Sequence, residues 1–328
     1  MKRKILTCQS GALDVRIFEI DCEQWSVKEL ARQPLEAVAG KSAAMPAVLA
    51  GDMVYLAFRG ENPALLSLRL NGERTGLDMV GKLDIAESCP YLSISANGRF
   101  LLAAGGSNAL AVRIGANGIL SEVTAREPLG ALAHCLRQCH GMVYGTACRD
   151  DLLRQYRLDD ISGRLEEVAC LAFAAGSGPR HIVAAPEGDC LFVITENGGT
   201  VVPVGIAAGQ MTLRENGAIA LGSSDGKMWA GDLVISGDGS RLFASERAAD
   251  RLVALGRKPG EGGLFVVDTV ASPEHVRSMH LSPDDGWLVA MGNFGARGSI
   301  YAIDDVGRLM HTADFDTGDG PSWVLGLD

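Results

Sequence analysis

A unit of about 45 residues recurs along the chain, and nothing else restricts the fold so strongly, because a period of this length marks a stack or ring of identical supersecondary units. Each copy reads as a small or proline-containing start, an alternating apolar run, a polar glycine turn and a second apolar run. The second copy is Cys89-Pro90-Tyr91-Leu92-Ser93-Ile94-Ser95, then Ala96-Asn97-Gly98-Arg99, then Phe100-Leu101-Leu102-Ala103-Ala104. The sixth is Val276-Arg277-Ser278-Met279-His280-Leu281, then Pro283-Asp284-Asp285-Gly286, then Trp287-Leu288-Val289-Ala290. Starts fall at 46, 90, 133, 179, 230, 276 and 321, spaced 44, 43, 46, 51, 46 and 45 residues apart.

Each interval also holds a weaker apolar pair, such as Leu110–Ile114 or Leu152–Leu158. Four short strands in 40–50 residues make one propeller blade, so the expectation is an all-β, seven-bladed β-propeller. The seventh copy keeps only its first strand, Gly320-Pro321-Ser322-Trp323-Val324-Leu325, whereas residues 3–44 hold strands without a first strand. The two ends then share one blade and close the ring. A length of 328 residues suggests two domains on average; the repeat replaces these with one, spanning 1–328. The 41 glycines fit the many hairpins such a ring requires. Val27 to Ala39 reads as an outer strand rather than a helical turn.

A formal net charge of −10 argues against general binding to nucleic acid or to an anionic membrane surface. No apolar run reaches 18 residues, and Ile5-Leu6-Thr7-Cys8 is too short for the core of a secretory signal. A cytoplasmic protein is expected, with its eight cysteines reduced. His134-Cys135 with Cys139-His140 is not a zinc spacing, so no metal is expected. No nucleophile elbow surrounds Ser107 or Ser322, and no strand–glycine-loop–helix exists to cradle a nucleotide. The reading therefore calls for no cofactor.

In a propeller the first strand of each blade lines the central channel, and the second returns beside it. The start of one and the end of the other share a rim. Residues just after each start are Ala47, Tyr91, His134, Arg180, Gly231, Arg277 and Ser322. Seventeen residues past the start stand Ser107, Glu196, Arg247 and Asn293, with Arg59 in a similar place in the first copy. The rim so gathers Arg59, Arg180, Arg247 and Arg277 with His134 and Glu196. Guanidinium forks match carboxylate or phosphate, so an anionic ligand is expected there.

Gly178-Pro179-Arg180-His181 followed by Thr195-Glu196-Asn197 resembles a signature segment of the seven-bladed lactonase family, which includes bacterial 6-phosphogluconolactonases and fungal carboxymuconate cyclases. Trp229-Ala230-Gly231-Asp232, Ser245-Glu246-Arg247 and Gly320-Pro321-Ser322-Trp323-Val324 resemble its later repeats. The resemblance implies that His134, Arg180, Glu196 and Arg247 are the catalytic positions and that a sugar-acid lactone is the substrate. Hydrolysis needs a base to activate water and positive charge for the developing oxyanion. Glu196 or His134 would be the base, with Arg180 and Arg247 orienting the substrate. Arg59, Arg277, His181, Asp232 and Asn293 are expected to bind it, the first two through a distal phosphate or carboxylate. Two alternatives stand beside hydrolysis. One is a cofactor-independent muconate-type cycloisomerase and the other a non-catalytic propeller that binds protein partners.

Overall fold

The second strand of a repeat is apolar at nearly every position because both of its faces are covered. Met53–Phe58, Phe100–Gly105, Cys190–Thr195 and Trp287–Gly292 are buried throughout. The fourth strand, exemplified by Leu309–Asp316, instead alternates toward solvent. Such a gradient from centre to edge is what a twisted sheet shows when it is sandwiched between two copies of itself. The computed structural model describes residues 1–35, 40–222, 226–258 and 263–327. Its strands form seven antiparallel sheets, six of which run from an inner strand to an outer one in chain order, while the seventh takes its inner strand from the C-terminal segment. The inner strands are Ala47–Ala50, Tyr91–Ile94, Ala133–Cys139, Pro179–Ala184, Ala230–Ile235, Val276–Leu281 and Pro321–Gly326. We number the blades one to seven in that order.

An apolar cluster fills each gap between neighbouring blades. Between blades five and six, Phe243, Leu252 and Ala254 pack with Met279, Leu288 and Ala290. Between blades seven and one, Leu6 and Ile17 pack with Val54, Leu56 and Leu66. Burying one such side chain contributes about 1.5–3 kcal/mol, so the ring is held mainly by these seams.

The ends meet as the repeat predicts. The strand Lys2–Gln9 pairs Ile5 with Gly326, Leu6 with Leu325 and Cys8 with Trp323, making residues 321–326 the inner strand of a blade whose other three strands come from residues 2–34. Ser26–Pro34 is the outer strand of that blade, and the rest of the expected outer segment, residues 36–39, lies outside the described residues.

The turn between inner and second strands explains the glycine signal. Ser95 Oγ accepts from Phe100 N at 3.0 Å, Ser236 Oγ from Arg241 N at 3.0 Å, and Ser282 Oγ from Trp287 N at 3.0 Å. Gly98 and Gly239 take φ of 69° and 71° in these turns, a left-handed conformation that costs other residues about 1–2 kcal/mol.

Candidate functional site

One backbone device sets up the rim. In blades three to seven the inner strand bulges at the residue or residues following the start. Pairing jumps from Ala133 to Cys135, from Pro179 to Ile182, from Ala230 to Leu233 and from Val276 to Ser278, and Ser322 is skipped in blade seven. The residues left out of the ladder are His134, Arg180 with His181, Gly231 with Asp232, Arg277 and Ser322. A bulge frees a side chain from strict alternation and re-aims it, here at the channel. Blades one and two pair regularly from Ala47 and Tyr91.

Hydroxyl groups on the second strands fix the bulges and tie each to the next blade. Thr146 Oγ1 accepts from Cys135 N (3.1 Å) and donates to Arg180 O (2.6 Å). Ser245 Oγ accepts from Asp232 N (2.8 Å) and donates to Val276 O (3.1 Å).

Glu196 follows the second strand of blade four and is the hub of the rim. Its Oε2 accepts from Arg180 Nε at 2.7 Å and from Arg247 Nη2 at 3.0 Å, and its Oε1 accepts from Trp229 Nε1 at 3.2 Å. Burial alone would raise its pKa, but the two guanidinium groups outweigh that and hold the carboxyl below the usual range. Arg180 also donates to Gly231 O, and Arg247 to Ala230 O at 2.9 Å and Trp229 O at 3.1 Å.

Arg59 and Arg277 complete the cluster with no carboxylate of their own among the described residues; Arg59 Nε donates to Ser88 Oγ at 3.2 Å. Burial and repulsion from Arg180 push Arg247 down to about 9, and burial with Arg180 and Arg59 pushes Arg277 to about 10. Four guanidinium groups thus feel one another around a single carboxylate. In a low-dielectric pocket this charge imbalance favours an anion.

His134 is buried, and its Nδ1 has no hydrogen-bond partner among the described residues. Burial first, then Arg180, His181, Arg59 and Arg277, hold it well below the ordinary imidazole value, so it is neutral at physiological pH. A buried nitrogen left unsatisfied costs about 1–3 kcal/mol. Its ring centroid lies 5.1 Å from that of His181.

His181 Nδ1 donates to Asp232 Oδ1 at 2.6 Å, and Asp232 also accepts from Met279 N (2.8 Å) and Leu233 N (2.9 Å). The carboxylate fixes the imidazole tautomer, leaving Nε2 as an acceptor 3.2 Å from Arg180 Nη1. Burial and Arg180 lower His181 to about 4 despite Asp232. Tyr91 and Trp323 pack edge-on against this ring at 5.2 and 6.1 Å. Beyond them the channel continues as a cavity of about 480 Å³ lined by Asp232, Tyr91, Met279 and Trp323. Asn293 Nδ2 donates to Pro321 O at 3.1 Å, linking blades six and seven at the same rim. Cys135 and Cys139 are buried in the seam between blades three and four, while His140 bonds Ala185 O.

Three rings at the rim escape the positional rule. Trp229 and His275 directly precede inner strands, and Phe294 follows Asn293. Arg247 lies over the Trp229 ring at 4.6 Å, Trp229 meets His275 edge-on at 4.5 Å, and His275 stacks on Phe294 at 4.1 Å. Residues directly before inner strands take left-handed backbone in four blades, at Leu132, Gly178, His275 and Gly320. That requirement is the physical reason for the Gly-Pro pairs at 178–179 and 320–321. A bulky residue in a slot that elsewhere prefers glycine was the available signal for His275.

Residues 133–325 match the family model described as Lactonase, 7-bladed beta-propeller. Among curated proteins, the 6-phosphogluconolactonase of Pectobacterium carotovorum is 27% identical over 276 residues, covering 74% of this chain and 81% of that protein. The 6-phosphogluconolactonase of Serratia proteamaculans is 25% identical over 268 residues, covering 78% and 80%. Solved structures share the architecture end to end. A protein of Lactobacillus plantarum superposes with a TM-score of 0.89 at 18% identity, covering 100% of both chains. The periplasmic gluconolactonase of Pseudomonas aeruginosa gives 0.87 at 21% identity, covering 100% of this chain and 99% of the other.

Proposed function

The chain belongs to the seven-bladed β-propeller lactonase family, and on that premise we propose that it hydrolyses the lactone of an anionic sugar acid at the arginine-lined mouth of its channel. The observation that carries this reading is the convergence of Arg59, Arg180, Arg247 and Arg277 around one carboxylate beside a neutral, unpartnered His134. Arg59 and Arg277, without carboxylate partners, receive the distal phosphate or carboxylate of the substrate. Arg180 and Arg247, fixed by Glu196, direct positive charge toward the lactone carbonyl oxygen.

Glu196 is a poor base because both its oxygens are engaged by three donors and its basicity is depressed. His134 has the free nitrogen and the neutral state a base requires. His134 takes a proton from water as the water oxygen adds to the carbonyl carbon. The oxyanion of the tetrahedral adduct rests against the guanidinium groups. When the adduct collapses, the C–O bond of the ring breaks and the imidazolium returns the proton to the departing ring oxygen. A bound anion offsets the arginine field that suppresses protonation of His134, so the substrate itself strengthens the base.

The test is proton release on 6-phosphoglucono-1,5-lactone and on D-glucono-1,5-lactone, followed against spontaneous hydrolysis. Turnover well above background on the phosphorylated lactone is expected. Rates equal to background on both would overturn the reading.

A further inference from the structure

Phe294 is 62% exposed and Trp229 42% exposed, Trp229 lying against Arg247 and Phe294 against His275. The buried His275 ring stacks on one face of Phe294, with ring planes 13° apart, so the exposed area of Phe294 is its edge and opposite face. Trp229 is fixed by Glu196, by Arg247 and by His275. The three rings form a ladder leading from Glu196 outward to solvent.

His275 occupies the left-handed slot before its strand, with φ of 59°, where blades four and seven use glycine. Asp250 Oδ1 holds its backbone N–H at 2.7 Å. Strain of this kind persists where the surrounding structure over-determines it, and it clusters at ligand sites. Here the strained residue backs the most exposed ring of the rim.

We propose that Trp229 and Phe294 form a second subsite, which stacks the face of a sugar ring carried by the substrate beyond its lactone. This rests on the lactonase reading above and extends it: the substrate class becomes a lactone bearing a glycosyl substituent. A pyranose presents a C–H face that matches an open aromatic surface, and the ladder offers few donors or acceptors to read a more polar group. Two exposed side chains fall far short of the roughly 800 Å² per partner of a stable protein interface. Trp229, lying against Arg247 at 4.6 Å, joins this aromatic surface to the anion well. His275 is neutral, because burial and the adjacent Arg247 hold it at about 3, so it adds no charge to the platform.

The experiment compares D-glucono-1,5-lactone with cellobiono-1,5-lactone for the wild-type chain, Phe294→Ala and Phe294→Trp. In the wild type KM is expected to be about tenfold lower for the disaccharide lactone, the ratio collapsing toward one in Phe294→Ala and surviving in Phe294→Trp. A wild-type ratio near one, or a ratio unchanged in Phe294→Ala, would overturn the proposal. A calorimetric titration with gluconate and cellobionate tests the subsite even if neither lactone turns over. Tighter cellobionate binding that Phe294→Ala abolishes supports the subsite, while the hydrolase reading fails alone. Equal affinity for both acids overturns it.

Discussion

Arg180 and Arg247, from two different blades, bind the same oxygen of Glu196 at 2.7 and 3.0 Å. Both guanidinium groups are almost wholly buried, 2% exposed each by side chain, and the carboxylate is 21% exposed. One shared atom therefore registers blade four against blade five and holds two like charges within a few ångströms of each other.

Glu196→Gln removes the charge that makes this arrangement tolerable. Urea unfolding should show a loss of about 2–4 kcal/mol at pH 7, since uncompensated buried charge is the expensive outcome of breaking a pair. The folded carboxyl is more acidic than the unfolded one, so its contribution is present above pH ~4.3 and fades as pH falls through the lower folded value. Wild type and variant should converge in strong acid. A gap that stays constant from pH 7 to pH 3 would contradict the clamp.

His134→Gln should lower kcat on 6-phosphoglucono-1,5-lactone by about 10²–10⁴-fold. In the wild type, kcat/KM should stay level as pH falls through ~6.5, because the folded imidazole binds its proton more weakly than a free one. The same shift makes acid destabilising: below ~6.5 the unfolded chain takes up a proton that the folded chain refuses. An acid limb centred at 6.5 or above in the pH–rate profile would rule out this histidine in this environment.

Arg277→Ala and Arg59→Ala separate the phosphate from the lactone. Each should raise KM for the phosphorylated lactone by about tenfold or more, the value of a charge-assisted contact, with a smaller effect on D-glucono-1,5-lactone. Equal effects on both substrates would place the distal anion elsewhere.

Thr146→Val keeps the shape of the blade-three latch and deletes its hydroxyl. Cys135 N–H and Arg180 C=O then lose their partner within the interior. Thermal and urea unfolding should report a loss of about 2–3 kcal/mol, and kcat should fall because the Arg180 bulge is no longer pinned. An unperturbed kcat would show that the bulge holds itself.

Leu132 sits in the left-handed slot before blade three with φ of 56° and is 46% exposed. Leu132→Gly should stabilise the protein by about 0.5–1 kcal/mol, the relief of strain exceeding the added chain entropy. A lower midpoint in thermal unfolding would mean that the Leu132 side chain packs more strongly than its exposure suggests.

The ring was legible in the sequence because the same demands return blade after blade, a left-handed residue before the start of the inner strand in four of them and a serine-latched turn after it in three. His134, Arg180 and Arg277 were legible because they follow that start at one position. Their bulges were not: alternation of apolar residues is the same whether or not one residue is skipped by the ladder. Glu196 was found at the right distance, but its engagement by two arginines from different blades depends on contacts 16 and 51 residues away in sequence. Trp229 and His275 share the slot before an inner strand, but Phe294 follows a second strand, so the spacing of the repeat does not by itself assemble the three into one ladder.

Blade seven has a consequence for the order of events in the cell. Its outer three strands precede the other six blades in the chain, and its inner strand, residues 321–326, follows them. Until that segment leaves the ribosome, Lys2–Gln9 has an open edge, and the Leu6, Cys8 and Ile17 side chains lack Leu325 as a neighbour. The channel wall also lacks Trp323. A growing chain can therefore stack six blades in sequence, yet the flank of Lys2–Gln9 stays unmet until residues 321–326 arrive. Binding competence should switch on abruptly with the final strand rather than accumulate blade by blade.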